Sequence, residues 1–202
     1  MDRTYVTRAV SGNRIWQIAA LPCLFFVALV MGFLAIISPT NAHEVRPSIV
    51  DMSLEDGRAV LIIETNLEAW LADIGDDHEN TEETPQAAVY DRLRALSPEE
   101  LETEFNRQQA GFLDAVSLVI GGTAVAFDLQ SLEVPAAPDL ALARTSLVTL
   151  ASSSAIDAQA EATIAFTERF SETIIRVNGP DGTTVYSEFL SGDMATAPFA
   201  IG

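Results

Sequence analysis

The stretch 48-SIVDMSLEDGRAVLIIET-65 decides the fold. From Ser48 to Leu54 apolar and polar residues alternate, which is the period of a strand with one buried face. Glu55-Asp56-Gly57 breaks the pattern, and Arg58 to Thr65 follows as a run rich in β-branched side chains. Two such runs joined through Asp-Gly predict an antiparallel hairpin, since Gly tolerates the positive φ that a tight turn demands. A stronger signal of the same kind lies near the other end. There Thr173 to Val177 and Thr184 to Leu190 flank Asn178-Gly-Pro-Asp-Gly182.

Between the two hairpins the chain repeats the strand period. Val116, Leu118 and Ile120 alternate, Gly121-Gly122 allows a turn, and Val125, Phe127 and Leu129 continue the pattern. Pro135 and Pro138 mark a loop, Ser146 to Leu150 reads as a further strand, and Ile164 and Phe166 alternate again. Ser152-Ser153-Ser154 is a small polar connection. Helical spacing interrupts this series. Asn66 caps a short helix in which Leu67, Trp70, Leu71 and Ile74 form one stripe ending at Gly75, with Trp70 as a core anchor. Thr84-Pro85 begins a helix whose Val89, Leu93 and Leu96 share a face. Ser97-Pro98-Glu99-Glu100 begins another, with Ser97 as N-cap, Pro98 at N1 and Glu100 closing a capping box; Leu101, Phe105 and Phe112 supply its buried side. The expectation is a mainly β fold: a β-sandwich of Ig-like type, about eight strands, with a two-helix insertion near residues 85–112.

Upstream of this domain lies a segment of another kind. Arg3, Arg8 and Arg14 precede Ile15 to Ile37, an uncharged apolar run, and Thr40-Asn41-Ala42 supplies a small-residue exit just past Pro39. A basic start, an apolar centre and a small-residue exit are the parts of a secretory signal. Residues 1–42 are therefore expected to be a signal peptide and residues 43–202 a single exported domain, periplasmic in a Gram-negative cell. The run at 15–37 is also long enough to span a bilayer, so the alternative is an inner-membrane anchor holding the same domain in the periplasm. The arginine bias leaves the N-terminus in the cytoplasm in both cases.

Past residue 42 the chain carries eight arginines and 28 acids, a formal charge of −20. Such a surface repels phosphates, which argues against nucleic acid and anionic lipid as partners. Membrane contact is expected only through residues 15–37, if they are retained. The single cysteine, Cys23, falls in the apolar run, so the exported part has neither disulfide nor thiol. The two histidines, His43 and His78, and the absence of a G-x-S-x-G elbow leave no set of residues for nucleophilic catalysis. An enzyme is not expected. The acidic stretch Asp73 to Glu83 fails as an EF-hand, because its sixth position is His78 where the turn needs Gly. One metal reading stands. Cleavage after Ala42 would make His43 the N-terminus, and an α-amine beside an imidazole is a natural chelate for Cu(II) or Ni(II), with His78 as a third ligand.

The junction Ala42-His43-Glu44-Val45-Arg46-Pro47 resembles the start of exported domains in the HupE/UreJ-type family. There an "AHExRP" stretch follows the signal peptide and opens a β-rich extracytoplasmic domain. In longer members that domain precedes a bundle of transmembrane helices associated with nickel or related metal handling for hydrogenase and urease. The resemblance covers the junction closely and residues 48–202 only by pattern, and no second apolar span follows here. It implies a non-catalytic accessory domain working with a separately encoded, polytopic inner-membrane protein, with Glu44, Arg46 and Pro47 as candidate interaction residues. Their plain structural readings are that Pro47 blocks edge pairing at the first strand and that Arg46 pairs with an acidic neighbour while its stem covers apolar surface.

Overall fold

A computed structural model of the chain describes residues 46–75, 84–136, 143–170 and 172–201. The elements run β1 (Ser48–Glu55), β2 (Arg58–Thr65), α1 (Leu67–Ala72), α2 (Ala87–Arg94), α3 (Pro98–Asp114), β3 (Val116–Ile120), β4 (Thr123–Val125), β5 (Phe127–Glu133), β6 (Ser146–Ser152), β7 (Glu161–Phe166), β8 (Thr173–Asn178), β9 (Thr184–Leu190) and β10 (Phe199–Ala200). They form a six-stranded sheet, β5-β6-β2-β1-β8-β9, and a four-stranded sheet, β10-β7-β3-β4. Both sheets feed one hydrophobic core, so the fold is mainly β and sandwich-like.

The hairpin that decides the fold forms as its sequence requires. β1 and β2 pair antiparallel from Ile49↔Glu64 to Glu55↔Arg58, and Asp56 (φ 49°) and Gly57 (φ 77°) make the turn with positive φ at both central positions. β8 lies parallel to β1 from Ser48↔Thr173 to Met52↔Val177, which joins the first hairpin to the last. Inward residues then line up in rows across the strands. Val148, Ile63, Val50 and Ile175 form one row, and Leu150, Leu61, Met52 and Val177 the next, all fully buried. At the end of the sheet the row changes character. Ser146, Thr65, Ser48 and Thr173 place four buried hydroxyls side by side, and only Ser48 and Thr65 bond each other, at 2.8 Å.

The helices lie between β2 and β3 and carry an aromatic cluster. Trp70 meets Phe112 edge-on at 4.9 Å, and Phe112 meets Phe105 and Phe170 at 5.2 Å each. Trp70 is thus the core anchor its spacing predicts. α1 stops earlier than Gly75, because Asp73 turns left-handed (φ 61°) and returns its N–H to the Ala69 and Trp70 carbonyls. Ile74 stays buried beyond the helix. Gly75 leaves room for the Glu168 carbonyl, which a Cβ would meet at 3.0 Å. Ser97 and Glu100 form the expected capping box of α3. On α2 the buried face is Tyr90 and Leu93, while Val89 is 41% exposed, so the expected stripe is rotated by one residue.

Two strand features differ from the expectation. Val125, Phe127 and Leu129 keep one alternation in sequence, yet the chain changes sheets at Ala126: β4 edges the four-stranded sheet and β5 the six-stranded one. Both strands present the same parity to one core, so the period passes through the corner unbroken. β10 is two residues long, too short to show any period, and contributes to the ten strands found where about eight are expected.

Candidate functional site

The outer face of the six-stranded sheet is the most distinctive surface of the domain. A sheet with one side in water ordinarily presents polar residues there. Here the register builds one row that breaks this rule, beside a second that carries a single apolar residue, Ile62. The first runs Leu147, Glu64, Ile49, Ile174, Phe189 across β6, β2, β1, β8 and β9. The second runs Thr149, Ile62, Asp51, Arg176, Ser187 across the same strands. Ile62 is 39% and Phe189 52% exposed, with Ile49 and Ile174 half-buried on the strands between them and Leu147 half-buried on β6. Isolated exposed apolar residues are ordinary, whereas neighbouring ones mark a surface that favours being covered.

An ion pair sits at the centre of this face. Arg176 donates through Nε to Asp51 Oδ1 at 2.7 Å and through Nη2 to Asp51 Oδ2, a fork-on-carboxylate arrangement set by the parallel register of β1 and β8. Asn178 adds a donor to the same carboxylate at 3.3 Å. The bond to Asp51 holds the Arg176 guanidinium above its ordinary pKa. The pair neutralises itself, and Glu64 in the neighbouring row leaves the patch with only a small negative charge in a domain of strongly negative charge. That lowers the electrostatic cost of bringing another surface onto it.

The residues singled out from sequence lie elsewhere. His43, Glu44 and His78 fall outside the described residues. Arg46 is exposed, just before β1, and Pro47 is half-buried beside it. Arg46 lines a nook of about 10 Å³, room for one water, together with Ser48, Thr65, Asn66, Trp70 and Arg169. The acidic partner expected for Arg46 is not among the ion pairs of the described residues. Arg169 stacks over Trp70 at 4.0 Å, donates to the Trp70 carbonyl at 3.0 Å and lies 2.7 Å from Asp73, fastening α1 to the chain after β7. That corner is built for structure.

Elsewhere among the described residues, two open grooves stand out. One, of about 420 Å³, runs beside α3 and β4 and is lined by Leu113, Asp114, Leu118, Val125 and Phe127. The other, of about 440 Å³, is lined by Asp114, Ser117, Phe166, Glu168 and Asp193. The first holds one carboxylate, Asp114, and the second three, with no base or cation among the lining residues. Among the described residues no three His, Cys, Asp or Glu side chains are arranged to hold a metal ion, and no helix is long and apolar enough to cross a membrane.

Sequence reasoning passed over Asp51, Arg176 and the outer isoleucines. The signal was present in the doubled residues Ile62-Ile63 and Ile174-Ile175, where strict alternation would put a polar residue first. No protein-family model matches the chain, and no curated protein matches it.

Proposed function

We propose that the chain is an exported, non-catalytic accessory domain that docks through the outer face of its six-stranded sheet on a separately encoded, polytopic inner-membrane protein of the HupE/UreJ type. The observation that carries this reading is the apolar row Leu147, Ile49, Ile174 and Phe189, joined by Ile62 beside the Asp51–Arg176 pair, on a face whose strand register would ordinarily be polar. The signal-like segment at 1–42 and the family-like junction at 42–47 support the compartment and the partner class. Ile62→Arg tests it. Ile62 is 39% exposed, so the substitution is tolerated by the fold, within about 0.5 kcal/mol, while it places a charge in the docking face. Retention of the membrane protein by the wild-type chain and its loss with Ile62→Arg is the expected result.

A second reading rests on the Ala42-His43 junction: a periplasmic Cu(II)- or Ni(II)-binding protein whose chelate is the His43 α-amine and imidazole, joined by His78. It requires a processed chain beginning at His43 and loss of stoichiometric metal uptake in His43→Ala. Intact mass with N-terminal sequencing decides the first requirement, and a start at Met1 would remove this reading while leaving the docking reading in place.

A further inference from the structure

One charge amid the apolar row of the six-stranded sheet has no counter-charge bound to it. Glu64 lies directly across from Ile49 on β1 and from Leu147 on β6, and all three side chains are half-buried. Opposed residues on paired strands hold their Cβ atoms about 4.5–5.5 Å apart, so apolar carbon flanks the Glu64 stem on both sides. Among the described residues Glu64 joins no ion pair. Its charge acts on Arg176 through space. That guanidinium, however, is already forked onto Asp51 through Nε and Nη2, and Asn178 adds a further donor to the same carboxylate. The central pair is closed, and Glu64 is open.

The row continues past Leu147 onto β5, where Glu133 stands opposite Leu147 and is exposed. Glu133 also joins no ion pair among the described residues. From β5 to β9 the row is therefore Glu133, Leu147, Glu64, Ile49, Ile174, Phe189. One half alternates acid with leucine, and the other half is apolar without a break. Strands spaced about 4.8 Å apart put the two glutamate positions roughly 10 Å from each other.

The two halves differ in what they require of a covering surface. Apolar contact suffices for Ile49, Ile174 and Phe189. A carboxylate covered by apolar surface loses its water, and only a cation or a set of donors makes up the loss. We propose that the surface docking here is basic as well as apolar: it sets an arginine or lysine on Glu64, faces Glu133 with a second base two strand spacings away, and lays apolar side chains over Ile49, Ile174 and Phe189. This rests on the docking reading above and adds the chemistry of the partner. The charge of −20 past residue 42 draws such a surface in, and the pairing at Glu64 fixes where it seats.

The test is capture of the membrane protein from detergent-solubilised membranes of the native host, titrated with the full chain. Glu64→Gln keeps the shape of the side chain and removes its charge, so half-maximal capture is expected to need roughly tenfold more chain or above. Glu161→Gln removes the same charge from an exposed position on the four-stranded sheet and is expected to change capture little. Glu64→Leu separates the two requirements. It makes the apolar row continuous, so apolar docking alone would tighten, whereas a stranded partner cation weakens capture at least as much as Glu64→Gln does. Melting temperatures close to that of the wild type assign these losses to the surface. Unchanged capture with Glu64→Gln, a gain with Glu64→Leu, or an equal loss with Glu161→Gln would overturn the proposal, and loss of capture with Ile62→Arg would then leave docking through this face standing. Equal capture by the wild type and Ile62→Arg would overturn both.

Discussion

Arg144 donates through Nε to Glu68 at 2.7 Å, and the two side chains keep only 2% and 1% of their surface exposed. The remaining guanidinium nitrogens reach the carbonyls of Leu96, Arg94 and Pro135, so one arginine ties α1 to the α2–α3 link and to the chain before β6. Glu68 Oε2 has no hydrogen-bond partner among the described residues. A buried pair of this kind stabilises little in net terms, but removing one member strands the other charge. Arg144→Met is therefore expected to cost about 3–5 kcal/mol. Adding Glu68→Leu should recover part of that loss and not all, because the carbonyls stay unpaired. Urea denaturation of both variants measures the difference.

The hydroxyl row at the end of the sheet separates bonded from unbonded polar groups in one structural setting. Ser48→Ala leaves the Thr65 hydroxyl buried and alone, at a cost of about 1–3 kcal/mol. Among the described residues Thr173 Oγ1 has no hydrogen-bond partner, so Thr173→Val removes an unmet group and fills the same space. It is expected to be neutral or to stabilise by about 1 kcal/mol. Opposite shifts of the denaturation midpoint would bear out this reading, and equal losses would refute it.

Tyr186 stacks on Phe199 at 4.7 Å and bonds Glu188, linking β9 to the strand that edges the other sheet. Burial, then the neighbouring carboxylate, pushes its pKa from 10.0 up to about 12. A pKa raised on folding means that the neutral phenol is the form the fold favours. Its contribution is complete below pH 10 and is lost as the pH climbs toward 12. Stability measured across that window should fall less steeply in Tyr186→Phe, and Glu188→Gln should bring the tyrosinate absorbance step down toward the ordinary value.

Much of the fold was legible because the chain follows local rules. Asp56-Gly57 and the capping box Ser97/Glu100 name their structures outright, and Trp70 declares its burial through helical spacing. What stayed hidden was whatever local period does not encode. The corner at Ala126 preserves parity while the strand changes sheets, and the parallel neighbour of β1 comes from more than a hundred residues away. The face proposed for docking was hidden for the same reason. Asp51 and Arg176 are unremarkable in sequence, and only the register of β1 with β8 brings them together. The candidate residues read from the junction were chosen by resemblance, and His43, Glu44 and His78 lie outside the described residues.

The most direct measurement is co-purification of the chain from membranes of its native host, wild type beside Ile62→Arg, with thermal melting of both. A polytopic membrane protein retained by the wild type and lost with Ile62→Arg, at unchanged melting temperature, is the expected result. Retention of that protein equally by both, or by neither, would contradict docking through the outer face of the sheet.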